Sequence, residues 1–470
     1  MRMSPVVFLG PIVLGWSPGP AQQPSAAPER LDVERFTDSV VAEYLRQSAA
    51  PSLAVVVTTG RGVVFEKGYG FESLEGRAAV DPTGTLFNIA SVSKLFVATA
   101  VMQLVDAGKL RLEDRVDRHL PAARLEGKAG PVTIRHLLTH TSGIDAPFMR
   151  GTVPGPEQVV PLATYFARFK PRLGREPGRE IRYSNEGMAL AALIVERVSG
   201  ERFDAYAERH IFRPLRMDHS SFRQPPPPDL SARVATAGSG PVPNALILYP
   251  VGSMVSTVSD VARFMRAHLN GGILEGARIL SEESARAMQT TRWTAHPQAP
   301  GAGLGFFESD LGGQRGLFHT GARIHFSLLY LLPDRDLGIF LVHSMRQGGP
   351  FQPLRAAYVR SFVARYVQGD STGSGTGDRA GKVVRARERA GVYRPVLLSS
   401  TTIEKAALLG ADTRVRAASD GSLDVTLPGG GTIRVVEQAS GVYRALDGPH
   451  AGVVFAFTGA SGSSRARMSL

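Results

Sequence analysis

Ser91 and Lys94 are the two residues of this chain best suited to nucleophilic chemistry. Only seven of its 54 basic residues are lysines. Lysine, unlike arginine, can lose its proton in a protein when its surroundings lower its pKa. A neutral Lys94, three positions after Ser91 and on the same face of a helix, can accept the serine proton. The spacing alone is weak, since a helix-capping serine beside an exposed lysine explains it equally well.

Two later segments add residue types that suit the same chemistry. Tyr183 and Asn185 lie between a Pro/Gly loop and a predicted helix. The tyrosine can share a proton with a lysine, and the amide can hold a substrate carbonyl, although Tyr-x-Asn is also a common loop tripeptide. The segment 319–321 precedes a strand predicted from Ile324. The glycine at its end lets a substrate approach the strand edge, where N–H groups can stabilise an oxyanion.

The hydrophobic periodicity predicts strands near both ends of residues 30–367 and helices between them. The expected class is α+β: an antiparallel sheet flanked by helices, with a mostly helical subdomain. The predicted strands are 52–59, 62–65, 324–332 and 337–343. The main predicted helices are 33–47, 91–105, 186–198 and 354–367, and the second is apolar nearly all round, as expected of a buried central helix.

The composition predicts four segments along the chain. Residues 1–21 have a basic start, an apolar run too short to span a membrane and small residues before position 22, as in a secretory signal peptide. Residues 30–367 form the main domain, and 368–381 form a Gly/Ser-rich linker. Residues 382–460 alternate with period two and are expected to form a small all-β domain, a meander or short barrel. A secreted or periplasmic location follows from the first segment.

Several functional classes are excluded by composition. The chain has no cysteine, so disulfides, thiolate metal sites and cysteine nucleophiles are ruled out. The formal net charge is +12, which an arginine-rich surface explains, although attraction to anionic wall polymer or lipid headgroups is the alternative. No dense basic block with interleaved aromatics favours nucleic-acid binding. No later apolar stretch predicts an integral membrane segment.

Two motifs suggest chemistry that their context does not support. Residues 15–19 match the G-x-S-x-G nucleophile elbow, but they lie in the predicted signal peptide and lack the strand and helix that this motif needs. His136 and His140 stand four residues apart on a predicted short helix, as metal ligands can. No glutamate of an H-E-x-x-H motif or third ligand accompanies them, so we expect packing and loop hydrogen bonds and no metal.

Taken together, the three segments around Ser91, Tyr183 and His319 resemble the penicillin-recognising serine hydrolases. The likeness is strongest to the class C β-lactamase-like family, which includes β-lactamases, D-alanyl-D-alanine carboxypeptidases, D-aminopeptidases and esterases. It covers roughly residues 30–367. It extends to three further segments that look like family signatures: 104–114, 132–143 and 252–257. The resemblance implies a β-lactamase/transpeptidase-like fold and a reaction without metal or organic cofactor.

The resemblance also implies a role for each motif residue. Ser91 is the acylated nucleophile, Lys94 is its proton partner, and Tyr183 is the general base or proton shuttle. The backbone N–H groups of Ser91 and Ala322 form the oxyanion hole. The residues expected to bind substrate are Asn185, His319, Thr320, Gly321, Ala322 and Arg323.

His319 departs from the family pattern. Many β-lactamases and carboxypeptidases of this group have lysine there, where it recognises a substrate carboxylate, and Arg323 is the nearby residue able to replace the charge. The expected substrate is therefore a small-molecule or peptide acyl donor: an ester, an amide or a D-amino-acid peptide, with peptidoglycan fragments and β-lactams as further candidates. The alternative is a binder that keeps the fold, such as a sensor acylated once by a β-lactam.

Overall fold

The computed structural model describes thirteen stretches of the chain. They are residues 28–48, 52–73, 77–120, 125, 130–145, 151–236, 244–344, 354–367, 379–393, 412–427, 431–445, 454–458 and 467–469. The predicted signal peptide (1–21) and most of the predicted linker (368–378) lie outside them.

Helices and strands alternate irregularly along these stretches. The α-helices are α1 (Arg30–Ser48), α2 (Ser93–Asp106), α3 (Val116–His119), α4 (Ile134–Leu138), α5 (Leu162–Arg168), α6 (Asn185–Ser199), α7 (Phe203–Ala207), α8 (Arg213–Leu215), α9 (Pro228–Ser231), α10 (Val258–Leu269), α11 (Glu282–Gln289), α12 (Leu354–Tyr366) and α13 (Arg379–Arg389). The strands of the first half are β1 (Ser52–Thr58), β2 (Val63–Gly70), β3 (Phe87–Asn88), β4 (Ile144–Asp145), β5 (Thr152–Val153), β6 (Arg172–Leu173), β7 (Ala245–Leu246), β8 (Val255–Ser256), β9 (Ile273–Leu274) and β10 (Ala277–Arg278). The later strands are β11 (Phe307–Leu311), β12 (Gln314–Ala322), β13 (His325–Leu332), β14 (Leu337–Ser344), β15 (Gly391–Tyr393), β16 (Thr413–Ala417), β17 (Leu423–Thr426), β18 (Thr432–Ala439), β19 (Val442–Ala445), β20 (Val454–Thr458) and β21 (Arg467–Ser469).

The main sheet joins the two ends of the hydrolase-like region, as the sequence predicts. Its six antiparallel strands run in the order β11-β12-β13-β14-β1-β2. Strand β1 is buried on both faces because its side chains alternate between two cores. Leu53, Val55 and Val57 pack with α1 and α12, whereas Ala54 and Val56 face the larger helical core. The predicted α+β class is confirmed.

Helix α2 lies at the centre of that larger core. Its side chains from Ser93 to Met102 are buried around the whole circumference, as the uninterrupted apolar pattern predicts. The ring of Phe96 stacks on Phe264 of α10 with centroids 4.0 Å apart. Helix α6 packs along α2. The chain can therefore place a nucleophile at the start of α2 on a rigid support.

The β11–β12 hairpin was not predicted, and the segment 319–321 lies inside β12 rather than before a strand. The turn is Gly312-Gly313, with φ of +61° and +79°, the left-handed conformation that tight two-residue hairpin turns require. Strand β11 pairs with β12 only as far as Phe318. Beyond that point β12 pairs with β13 alone, so residues 319–322 present an open edge.

The C-terminal region forms a second sheet, as expected. Its seven strands, β15 to β21, follow one another in chain order as an antiparallel meander. The helix α13, which packs against β16, was not predicted and begins within the predicted linker. On β19, Arg444 donates to both carboxylate oxygens of Asp310 on β11, at 3.2 and 2.7 Å. This ion pair joins the second sheet to the edge strand of the first.

None of the helices in the described stretches is both long and apolar enough to cross a membrane.

Candidate active site

Ser91 lies in a single 3₁₀ turn, Ala90–Val92, that leads directly into α2. It is partly exposed, whereas both neighbours are buried. Strand β12 passes so close to this turn that a Cβ on Gly321 would lie 2.3 Å from the Ile89 carbonyl oxygen. Only glycine fits there without displacing the turn. The sequence predicted the glycine to admit a substrate, but its observed contact is with the backbone that carries Ser91.

The amine of Lys94 lies next to the Ser91 hydroxyl. Its Nζ is 2.8 Å from Ser91 Oγ and donates to the Val251 carbonyl oxygen at 2.8 Å. The side chain is 0% exposed. Burial alone lowers the pKa of Lys94 far below its ordinary value, because no carboxylate in the described residues stabilises the charged form. The geometry therefore favours a neutral amine that can accept the Ser91 proton.

Tyr183 lies on the other side of Ser91, in the loop before α6. Its hydroxyl lies close enough to the Ser91 side chain to affect its own pKa, and its ring centroid is 5.0 Å from Lys94 Nζ. Desolvation raises the pKa of the Tyr183 hydroxyl, while the interaction with Ser91 acts in the opposite direction. Ser91, Lys94 and Tyr183 thus come together in the arrangement that the sequence predicts.

Asn185 follows immediately as the first residue of α6. Ser184 caps this helix, with its Oγ accepting the Gly187 N–H at 2.9 Å. The Asn185 side chain is partly exposed and has no hydrogen-bond partner among the described residues. Its amide is therefore available to a ligand.

Four rings form one side of the site, and we call them the aromatic wall: His140, Tyr183, Phe307 and His319. Tyr183 contacts His140 and His319 with centroids 4.5 and 6.1 Å apart. Phe307 stacks on His140 at 5.5 Å and lies 5.6 Å from His319. Sequence reasoning missed Phe307, because the strand that carries it was not predicted, and assigned His140 to packing and loop hydrogen bonds.

His319 is a neutral group in this wall. Its Nδ1 lies 2.8 Å from the Thr320 carbonyl oxygen, which can only accept, so Nδ1 carries the proton. Burial lowers the pKa of His319 to about 3, and the nearby Lys94 adds to this shift. Its Nε2 is a lone-pair acceptor without a partner in the described residues. Such a group can accept an N–H or O–H but cannot attract a carboxylate.

The remaining predicted residues contribute through the backbone or lie elsewhere. The side chains of Thr320 and Ala322 are exposed. These residues alternate along β12 with His319 and Gly321, so their side chains point to the opposite face of the strand. The Ala322 N–H lies at the end of the open edge. The Arg323 guanidinium donates to the carbonyl oxygen of Asn244, and it is therefore already engaged by the protein.

The two histidines considered as a metal pair are used locally. The Nδ1 of His136 accepts the Thr133 N–H at 3.2 Å, closing the cap of α4. The Nδ1 of His140 accepts the Ser184 N–H at 3.2 Å. Across the described stretches, no group of three or more His, Cys, Asp or Glu side chains is placed to hold a metal ion.

Comparison with known proteins agrees with this geometry. The family model described as Beta-lactamase matches residues 37–364. The chain belongs to the beta-lactamase family. Members of this family are generally serine hydrolases that act on small-molecule or peptide substrates.

Two sequence relatives show how much sequence identity this chain shares with curated proteins. Protein flp of Staphylococcus aureus is 26% identical over 324 residues, which are 67% of this chain and 64% of that protein. Penicillin-binding protein 4 of Amycolatopsis lactamdurans is 34% identical over 281 residues, 55% of this chain and 72% of that protein. This chain thus matches less than two thirds of the length of the flp protein.

Two solved structures share the fold over nearly the whole chain. The octameric penicillin-binding protein homologue from Pyrococcus abyssi has a TM-score of 0.59 at 20% identity, covering 93% of this chain and all of that one. The structure of SurE with D-Leu has a TM-score of 0.60 at 23% identity, covering 91% and 94%. The beta-lactamase-family fold is therefore established for this chain.

Proposed function

We propose that this protein hydrolyses esters and amides through an acyl-enzyme on Ser91, with D-amino-acid-containing peptides among its substrates. The observation that carries the proposal is the contact between Ser91 Oγ and the buried amine of Lys94, 2.8 Å apart. A buried lysine without an acid partner is the group that can take a serine proton near neutral pH.

The proposed reaction has two steps that share one proton path. Ser91 Oγ attacks the substrate carbonyl while its proton passes to Lys94 or through the Tyr183 hydroxyl. The backbone N–H groups of Ser91 and Ala322 stabilise the oxyanion of the tetrahedral intermediate. The leaving group departs with the proton that Ser91 gave up. Water then attacks the acyl-enzyme, giving one proton to the same base and releasing the acid, and Ser91 regains its hydrogen.

The charge distribution around the site supports substrates that lack a carboxylate beside the scissile bond. His319 is neutral, and the Arg323 guanidinium is bound to the Asn244 carbonyl oxygen. The Nε2 of His319 is buried and the ring is neutral, so this residue offers a substrate carboxylate no positive charge. The partly exposed rings of Tyr183 and Phe307 suit an apolar acyl side chain. Esters and D-amino-acid amides are therefore proposed ahead of penicillins and D-alanyl-D-alanine peptides.

The test is steady-state and burst kinetics with three chromogenic acyl donors: p-nitrophenyl butyrate, D-leucine p-nitroanilide and a cephalosporin. D-leucine is chosen because a structural neighbour was solved with D-Leu. We expect many turnovers on at least one of the first two, weaker turnover of the cephalosporin, and no turnover in Ser91→Ala. Ser199→Ala is the matched control, because Ser199 lies at the far end of α6.

The outcomes separate the proposal from its alternative. A single stoichiometric burst on every donor would mean a sensor that is acylated once. Turnover that persists in Ser91→Ala would remove Ser91 from the mechanism. Faster turnover of the cephalosporin than of the ester would contradict the proposed substrate class.

Export is a separate part of the proposal, supported by the composition of residues 1–21. Expression of the full chain in a bacterial host should give mature protein in the periplasm or medium, with an N-terminus near residue 22. Full-length protein confined to the cytoplasm would contradict it.

A further inference from the structure

His140 contacts three consecutive residues of the segment that carries Tyr183. Its carbonyl oxygen accepts the Arg182 N–H at 2.7 Å. Its ring lies against the Tyr183 ring, with centroids 4.5 Å apart and planes inclined by 31°. Its Nδ1 accepts the Ser184 N–H at 3.2 Å. The side chain and the backbone carbonyl of His140 therefore fix the backbone on both sides of Tyr183 and the orientation of the Tyr183 ring.

The backbone of His140 is itself held in an unusual conformation. Its φ of +55° lies in the left-handed region, which residues other than glycine adopt rarely. The His140 N–H donates to the Leu137 carbonyl oxygen at 3.2 Å, and the next N–H, of Thr141, donates to His136 at 2.9 Å. The end of α4 thus imposes the conformation that turns the imidazole toward Tyr183.

The hydrogen bond at Nδ1 defines one protonation state of the imidazole, whose Nε2 is buried without a partner among the described residues. Because Nδ1 accepts the Ser184 N–H, it must carry a lone pair, so the proton of the neutral ring is on Nε2. A protonated imidazole would direct an N–H at the Ser184 N–H and break the contact. Burial, with smaller contributions from His319 and Lys94, lowers the pKa of His140 well below its ordinary value. The ring is 2% exposed, so solvent offers Nδ1 no replacement donor.

We propose that His140 is a positioning residue for Tyr183, acting as the neutral Nε2–H tautomer whose Nδ1 holds the Ser184 N–H. In this role it keeps the Tyr183 hydroxyl next to the Ser91 side chain. The inference rests on the proposed function, because the benefit of that placement is a faster acylation of Ser91. A catalytic group displaced by about 1 Å loses on the order of 100-fold in rate.

Two substitutions of similar polarity test the position of the acceptor. In His140→Asn the amide oxygen takes the place of Nδ1, and asparagine tolerates a left-handed backbone. In His140→Gln the polar atoms take the place of Nε2 instead. The measurement is the rate at which a fluorophosphonate labels Ser91, together with kcat and KM for the ester, with a thermal unfolding curve for each variant. We expect His140→Asn to keep labelling within about ten-fold of the unchanged protein and His140→Gln to lose about 100-fold, mainly in kcat.

If His140 had a purely structural role, the labelling rates of both variants would fall in proportion to their loss of stability, and His140→Asn would have no advantage over His140→Gln. Equal rates in folded His140→Asn and His140→Gln, or a faster His140→Gln, overturn the inference. A second measurement does not depend on activity or on a folded variant. The ¹⁵N shifts of the His140 ring in the unchanged protein should show a protonated Nε2 and a bare Nδ1, and the opposite tautomer overturns the inference. Failure of the unchanged protein to label or turn over would instead count against the proposed function, leaving the ring shifts to decide the role of His140.

Discussion

Lys94→Met should make the folded protein more stable at neutral pH while it removes the group that accepts the Ser91 proton. The amine of Lys94 is fully buried, and its contacts in the described residues are Ser91 Oγ and the Val251 carbonyl oxygen. Methionine fills nearly the same volume without a group that binds a proton. The lost contacts cost about 0.5–1.5 kcal/mol each, and this cost does not change with pH.

The difference in free energy of unfolding between Lys94→Met and the unchanged protein should depend on pH. Burial lowers the pKa of Lys94 in the folded state below its ordinary 10.5. At pH values between the lowered pKa of the folded state and 10.5, the unfolded chain binds a proton that the folded chain does not. The free energy of unfolding therefore rises with pH by about 1.4 kcal/mol per unit. Methionine has no such dependence. The stability advantage of Lys94→Met should therefore shrink by up to about 2.7 kcal/mol between pH 7 and pH 9.

The assay is urea unfolding of both proteins at pH 7, 8 and 9, with the free energies of unfolding subtracted at each pH. All other titrating groups are shared and cancel in the subtraction. Ester-driven acylation of Ser91 should fall by about 10²- to 10⁴-fold in the variant. Lys170→Met, at an exposed position, is the matched control for loss of a lysine and should leave acylation unchanged. Identical pH slopes for the unchanged protein and Lys94→Met would show that Lys94 is charged when folded, and retained acylation would show that it is not the proton acceptor.

Three further substitutions test the packing around the site. Gly321→Ala puts a Cβ 2.3 Å from the Ile89 carbonyl oxygen. It should lower the free energy of unfolding by about 1–3 kcal/mol and slow the labelling of Ser91. An unchanged free energy of unfolding and an unchanged labelling rate would refute the close contact. Phe96→Ala removes a ring stacked in the main core and should lower the free energy of unfolding in urea by about 3–5 kcal/mol. Arg444→Ala and Asp310→Asn, combined in a double-mutant cycle, should show a coupling below about 1 kcal/mol, because both side chains are partly exposed.

The sequence predicted the elements whose pattern is continuous. Strand β1 and helix α2 are mostly apolar, and both occur near their expected bounds. The Ser91–Lys94 spacing predicted their contact because Ser91 lies in the 3₁₀ turn that leads into α2 and Lys94 lies in the first turn of α2. Antiparallel pairing of the two ends followed from the positions of the strands alone.

The elements that were missed lack such a pattern. Strand β11 is only five residues long and β12 contains Gly316, although the Gly312-Gly313 pair between them was itself a hairpin signal. Helix α13 has no wide apolar stripe, and Ala386 is its one fully buried side chain among those described. Phe307 carries no catalytic group, so only its place in the folded hairpin reveals that it forms part of the aromatic wall.

Strand β1 pairs with β2 on one side and with β14 on the other, so one partner is near in the sequence and the other is distant. Ser52 at the start of β1 bonds to Ser344 at the end of β14, 292 residues later. A growing chain therefore makes the β1–β2 hairpin early, but its other edge stays unpaired until the last strand of the sheet has been synthesised. Long-range pairing of this kind slows folding and prolongs exposure of an apolar strand edge. The open edge of β1 therefore has no partner until β14 has been synthesised, and a chain truncated before β14 keeps an edge open to aggregation.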